Sequence, residues 1–217
     1  MSVEAWPEGT TKKKRRFLKL SMVSPEFINI PNANQKERPR IMNTQLRPVP
    51  KSIAAGLCLS LLAVLFGFVL GGVFGAAESS IKKHLDDSGT AVLQSVYQGD
   101  VAAKDAVVKK SWDYLKRAHL HGGAIGAAAI GSILALILLC RLGMLAKLSA
   151  LAFGSGAFIY SLFWLFAGLA APGLGSTSVA KETLSFIAIP GAGLCILGLC
   201  GTIVSVVRGC FFRSTTE

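Results

Sequence analysis

The chain has 217 residues, of which 52% are hydrophobic and only 16% charged, and its mean hydropathy is +0.52. The apolar residues fall in four long blocks, each able to cross a hydrocarbon layer of about 30 Å, which excludes a sizeable water-soluble core. Of the net charge of +11, residues 1–51 carry +7, so the basic balance describes a tail; no aromatic residue interleaves the run Lys12 to Arg16, and nucleic acid is not an expected partner.

The tail, residues 1–51, mixes Pro, Asn, Lys, Arg and Glu with no sustained period, and Pro39, Pro48 and Pro50 interrupt any helix that starts there. It reads as disordered. Phe17, Leu18, Leu20, Met22 and Val23 form a short apolar cluster suited to a membrane surface but too short to span one. Met42 to Lys51, followed directly by an apolar block, has the form of a complete membrane-protein N-terminus, so residues 1–41 read as an upstream extension.

The first span is expected over residues 52–77, which is longer than the apolar core of a secretory signal and reads as an uncleaved anchor. Near its end Gly67, Gly71 and Gly75 recur every four residues, a spacing that clears a strip for the backbone of another helix. From 78 to 118 the chain turns polar, yet Ile81, Leu85, Val92, Val96 and then Val101, Val107, Val108, Trp112 and Leu115 recur at helical intervals. Two amphipathic helices follow, broken at Ser88-Gly89 and at Gln98-Gly99-Asp100, with Asp100 the N-cap of a helix that runs straight into the second span. The second span, 120–139, opens with Gly122, Gly123, Ala124, Gly126, Ala127, Ala128, Ala129 and Gly131, a stretch with almost no side-chain bulk. A third span covers 145–171 and stops at Pro172-Gly173; after a short turn, a fourth covers 184–207 and is expected to kink at Pro190. The fold class is therefore an all-α integral membrane protein, four transmembrane helices with an ordered amphipathic helical cap between the first and second.

An even number of spans puts both termini on one side. Basic residues near the span ends number nine on the terminal side and eight on the other, and the distal run Lys12 to Arg16 tips the bias toward cytoplasmic termini and an extracytoplasmic loop 78–118, in a plasma or inner membrane. Starting at Met42 would make the tally six against eight and reverse the orientation.

All three histidines, His84, His119 and His121, lie in or beside the polar loop. Imidazole ligates zinc, copper and haem iron, so the three form a candidate metal or haem site, although His119 and His121 stand about 200° apart on a continuous helix and a shared ion would need unwinding at Gly122-Gly123. The competing reading is an interfacial belt with Trp112, Tyr114, Lys116 and Arg117. Five cysteines lie in or beside the apolar blocks and read as small hydrophobes; Cys210, with Phe211, Phe212 and Arg213 after it, also suits palmitoylation.

Apart from His121 and Lys147, each within two residues of a span end, no Asp, Glu, Lys, Arg or His falls inside the four apolar spans, which argues against an ion-coupled pump or an intramembrane hydrolase. Serines such as Ser60, Ser161 and Ser205 lack a base and are expected to bond the carbonyl one turn back. The sequence contains no nucleotide-binding loop, no zinc-protease motif and no CxxC. The expected function is thus non-catalytic and without a cofactor: helix association with itself or with other membrane subunits in the lipid bilayer, helix packing resting on Gly67, Gly71, Gly75, Gly122 and Gly126. A haem- or metal-binding redox protein is the alternative, and an oligomeric channel or carrier lined by Gly, Ser and Thr a second.

Overall fold

The computed structural model describes residues 48–211. The basic run Lys12 to Arg16, the cluster Phe17 to Val23, the extension ahead of Met42, and Phe212 and Arg213 lie outside the described residues. Within them the fold is all helical: α1 Lys51–Ala91, α2 Val101–Leu139, α3 Met144–Ala170, α4 Thr177–Thr183 and α5 Ser185–Phe211. Four of the helices, α1, α2, α3 and α5, are long and apolar enough to cross a membrane.

Successive long helices run antiparallel. Gly67 backs onto Gly122 and Gly123, Tyr114 meets Trp164, and Phe153 meets Gly198, which gives an up-down-up-down bundle. α3 touches all the other long helices, whereas α1 and α5 do not touch each other, so α3 is the central post and α1 and α5 are flanks. Burial agrees: half of the apolar window of α3 is covered, against 17% in α5. The core stacks in three layers. Ile53, Ile133, Leu136, Ala146 and Ala150 fill the end nearest the termini; Ala63, Ala129, Phe153 and Ala157 fill the middle; Tyr114, Ala118, Phe163, Trp164 and Ala167 fill the far end.

Glycine sets the spacing of the flanks. A Cβ on Gly154 would collide with the Gly56 backbone, and one on Gly198 would stand within 2.5 Å of the Phe153 nitrogen, so α1 and α5 meet α3 backbone to backbone. Hydroxyls inside the helices are satisfied locally. Ser60 donates to the Gly56 carbonyl at 2.8 Å, Ser161 to Ala157 at 2.7 Å and Ser205 to Gly201 at 2.7 Å. All five cysteines are free.

The first expected span ends where α1 departs from helical geometry, at Ala77 (φ −135°, ψ 24°). Beyond it the chain corrects one expectation. Ser88-Gly89 does not break the helix, which continues to Ala91: the Ser88 hydroxyl bonds the His84 carbonyl at 2.8 Å, and Gly89 is buried where a Cβ would press on the Lys104 side chain at 3.0 Å. The glycine serves close approach, not a turn. The second breaker does turn the chain: Gln98 and Gly99 take positive φ, and the Asp100 carboxylate accepts from the Ala103 amide at 2.9 Å, capping α2. Residues between Val92 and Gly99 form turns in place of the expected helical continuation. Tyr97 anchors them by donating its hydroxyl to the Pro172 carbonyl at 2.8 Å.

The C-terminal half holds one further difference, the short helix α4, and the proline at which a kink is expected. The connection after α3 contains a short helix, α4, capped by the Ser176 hydroxyl, which accepts from the Ser178 amide at 3.1 Å. Pro190 lies inside an α5 that is continuous from Ser185. It lies past the first turn, where proline removes one intrahelical hydrogen bond, and the neighbouring Gly191 lets the backbone of α5 close to within contact of Tyr160.

Candidate functional site

The first cluster to consider is the seam between α1 and α2. A Cβ on Gly67 would sit 2.7 Å from the Gly123 nitrogen, one on Gly122 would sit 2.8 Å from the Ala63 carbonyl oxygen, and one on Gly126 would sit 3.0 Å from the Ser60 carbonyl oxygen. Gly71 serves a side chain: it leaves room for the His119 imidazole, whose Nδ1–H donates to the Gly67 carbonyl at 2.7 Å. Gly75 does not belong to the seam, since nothing lies within 4 Å of a Cβ there. Each four-residue step turns a helix by about 40°, so the third glycine of the series has rotated off the contact face. The rings of Phe74 and Trp112 fill the interface at that level, 5.1 Å between centroids.

Toward their polar ends the same two helices are joined by charge. Lys104, with its side chain only 9% exposed, bonds Asp86 on α1 at 2.5 Å and lies 3.1 Å from Asp105. Hydrogen bonds to Asp86 first and Asp105 second hold its pKa above the ordinary lysine value. Burial likewise pushes the Tyr97 phenol up, with the Lys104 charge opposing. Lys116 lowers the pKa of Asp113 by hydrogen bonding to it at 2.8 Å, a pair exposed to solvent.

The structure does not bring the three histidines together. His84 is exposed on the polar half of α1, and His119 is bound to α1 through Gly67. His121 points to the opposite side of α2, where its Nδ1–H donates to the Arg117 carbonyl at 2.8 Å and its ring meets Tyr160 and Trp164 of α3. Among the described residues no three His, Cys, Asp or Glu side chains converge as metal ligands do. α2 remains helical through Gly122-Gly123, so the unwinding that a shared ion would require does not occur.

What the second histidine joins is an aromatic and basic cluster. The Arg117 guanidinium lies over the Trp164 ring at 5.0 Å and the Tyr114 ring at 5.5 Å, while Tyr160 and Phe163 pack around Trp164. Trp164 is 9% exposed, and its Nε1 is buried with no hydrogen-bond partner among the described residues. Tyr160, Phe163 and Trp164 escaped the sequence reading. Their i, i+3, i+4 spacing, which puts the span's Tyr and Trp on one face with Phe163, was the available signal, and Arg117-His121 at i, i+4 on α2 was its counterpart.

Compared with known proteins, the chain matches no family model, no curated protein and no solved structure. The site therefore rests on its own geometry. The remaining surface of note is the outer side of α2, where Ala124, Ala127, Leu134 and Leu138 are exposed and a Cβ on Gly131 would meet nothing within 4 Å. These residues share one stripe, and the small ones occupy its first half.

Proposed function

We propose that the chain is a multi-pass integral membrane protein that acts without catalysis, by helix association, as a homo-oligomer or an accessory subunit of a membrane complex. The observation that carries this reading is the uncovered Ala127-x-x-x-Gly131 pair on α2. Gly56, Gly67, Gly122, Gly126, Gly154 and Gly198 are used inside the bundle, yet α2 keeps a second small-residue face that internal packing leaves bare. In lipid, where apolar side chains gain nothing by leaving the solvent, association depends on close backbone approach, and a pair of small residues four apart provides it.

In the same reading the apolar helices lie in the bilayer with both termini cytoplasmic. The polar halves of α1 and α2, joined by Lys104 and Asp86 and tied to the α3–α4 turn by Tyr97, stand outside it as an extracytoplasmic cap. The test is oxidative trapping in native membranes of Gly131→Cys, in a background whose five cysteines are replaced by serine. Cross-linking to a second copy through its own Gly131→Cys thiol, or to one defined membrane subunit into which a cysteine has been introduced at the contact, is expected. A Gly131→Cys protein that remains a monomer under conditions that oxidise it fully would remove the reading.

A further inference from the structure

Between α2 and α5, with α3 as its floor, runs a groove of about 330 Å³ lined by Ala124, Ala128, Phe153, Cys195, Ile196 and Leu199. Its origin is visible in the packing. Gly191 and Gly198 draw α5 onto the backbone of α3 at Tyr160 and Phe153, and Gly156 admits the Cys195 backbone in the same way, so α5 leans on α3 and away from α2. On the opposite wall Ala124 and Ala128 carry too little bulk to close the gap. The walls are apolar, and the groove is shallow and open along its outer side.

The groove does not stand alone. Arg117, His121, Ala124 and Ala128 are spaced by four, three and four residues, which places them on one stripe of α2, with Arg117 about 16 Å above Ala128 along the helix axis. Arg117 is held in place and has no ion-pair partner at contact distance among the described residues, although Asp113 lies within reach of its field. Its guanidinium is held over two aromatic rings, and among the described residues it forms no ion pair within 4 Å, because Asp113, the carboxylate one turn back, is taken by Lys116. His121 stands beneath it with Nδ1 engaged on the Arg117 carbonyl, leaving Nε2 without a partner among the described residues. The orphaned Trp164 Nε1 belongs to the same cluster.

A guanidinium with its fork unpaired is matched to a phosphate, and an apolar trough in line beneath it is matched to a hydrocarbon chain. We propose that this groove seats one anionic membrane phospholipid, with its phosphate on Arg117 and an acyl chain along Ala124, Ala128 and Phe153. The inference rests on the membrane-spanning reading but not on self-association: the groove adjoins the Ala127 and Gly131 face at Ala124, and lipid retention is read separately from oligomer size. The bound lipid covers the side of α5 that its neighbours leave open and fastens this flank to the rest of the bundle.

The test uses the full chain, purified in detergent, delipidated and examined by native mass spectrometry with phosphatidylglycerol as probe. One tightly retained lipid per chain is expected. Arg117→Gln, a change at an exposed position, should lower retention about tenfold, as loss of a charge-assisted bond does, and Ala128→Trp should do the same by filling the trough. Dioleoylglycerol, which keeps the chains and lacks the phosphate, should bind as weakly to wild type as phosphatidylglycerol binds to Arg117→Gln. Excess inorganic phosphate should not displace the lipid. Four results would overturn the proposal: equal retention by wild type and Arg117→Gln, equal binding of the phosphate-free lipid, displacement by free phosphate, or a groove variant that changes oligomer size while lipid retention stays constant, which would seat a second copy there. Melting temperatures of both variants report folding, and Arg117→Gln alone decides the matter should Ala128→Trp fail to fold.

Discussion

Gly126 and Gly131 lie five residues apart on one helix and do opposite things. A Cβ on Gly126 would stand 2.8 Å from the Val64 side chain and 3.0 Å from the Ser60 carbonyl oxygen, whereas one on Gly131 would meet nothing. The first residue holds the bundle together and the second faces outward. Glycine in a membrane helix thus has two separable uses, fixing the fold and presenting a surface, and which one applies is decided by helical phase, not by composition. On α1 the same division separates Gly67, pressed on the Gly123 backbone, from Gly72 and Gly75, which have open space.

The largest effect should come from the inner set. Gly67→Leu and Gly126→Leu should each cost about 1–3 kcal/mol or more, because backbone atoms opposite cannot move aside as a side-chain end can. Thermal unfolding in detergent measures this. Gly71→Leu should also destabilise, by displacing the His119 ring from the Gly67 carbonyl. A normal melting temperature in all three would dissolve the distinction between inner and outer glycines.

The polar ends provide the next test. Lys104→Met removes the charge that joins α2 to Asp86, and hydrogen exchange in 78–91 and 101–110 should quicken severalfold while the apolar cores keep their protection. The pH dependence has a definite sign. Because the folded pKa of Lys104 is raised, its contribution is fully present below the unfolded lysine value of about 10.4 and is lost as pH rises through the higher folded value, so titration of Lys104 itself loosens the region on the alkaline side. Protection factors in this region, taken relative to the base-catalysed intrinsic rate at each pH, that are insensitive both to alkaline pH and to Lys104→Met would contradict the assignment.

Smaller effects are expected at the histidines. His119→Gln should cost about 1 kcal/mol through the bond to Gly67, and His84→Gln should stay within roughly ±0.5 kcal/mol. Neither cost should change when a strong chelator is added. A wild-type melting temperature that falls on chelation would restore the three-histidine metal site.

Four apolar helices were legible in the sequence because length and hydropathy alone define them, and the break at Ala77 and the cap at Asp100 were legible because composition changes sharply there. The behaviour of Ser88-Gly89 was not. A glycine that admits Lys104 from another helix looks the same in sequence as one that ends its own. Gly75 faces open space for a related reason: the accumulated rotation of a four-residue repeat carries its third member off the α1–α2 contact face. The Arg117 cluster depends on Trp164, nearly fifty residues downstream, and on the antiparallel register of α2 and α3, which no local pattern encodes. That His119 and His121 face different helices did follow from their spacing of two.

The most direct measurement pairs Gly126→Leu with Gly131→Leu in one lipid bilayer, recording melting temperature and association for each. Gly126→Leu should melt several degrees lower. Gly131→Leu should melt within roughly ±0.5 kcal/mol of wild type in stability terms and yet lose its partner, whether that is a second copy or another subunit. A Gly131→Leu protein that associates as wild type does would contradict the claim that this bare face of α2 is where the protein acts.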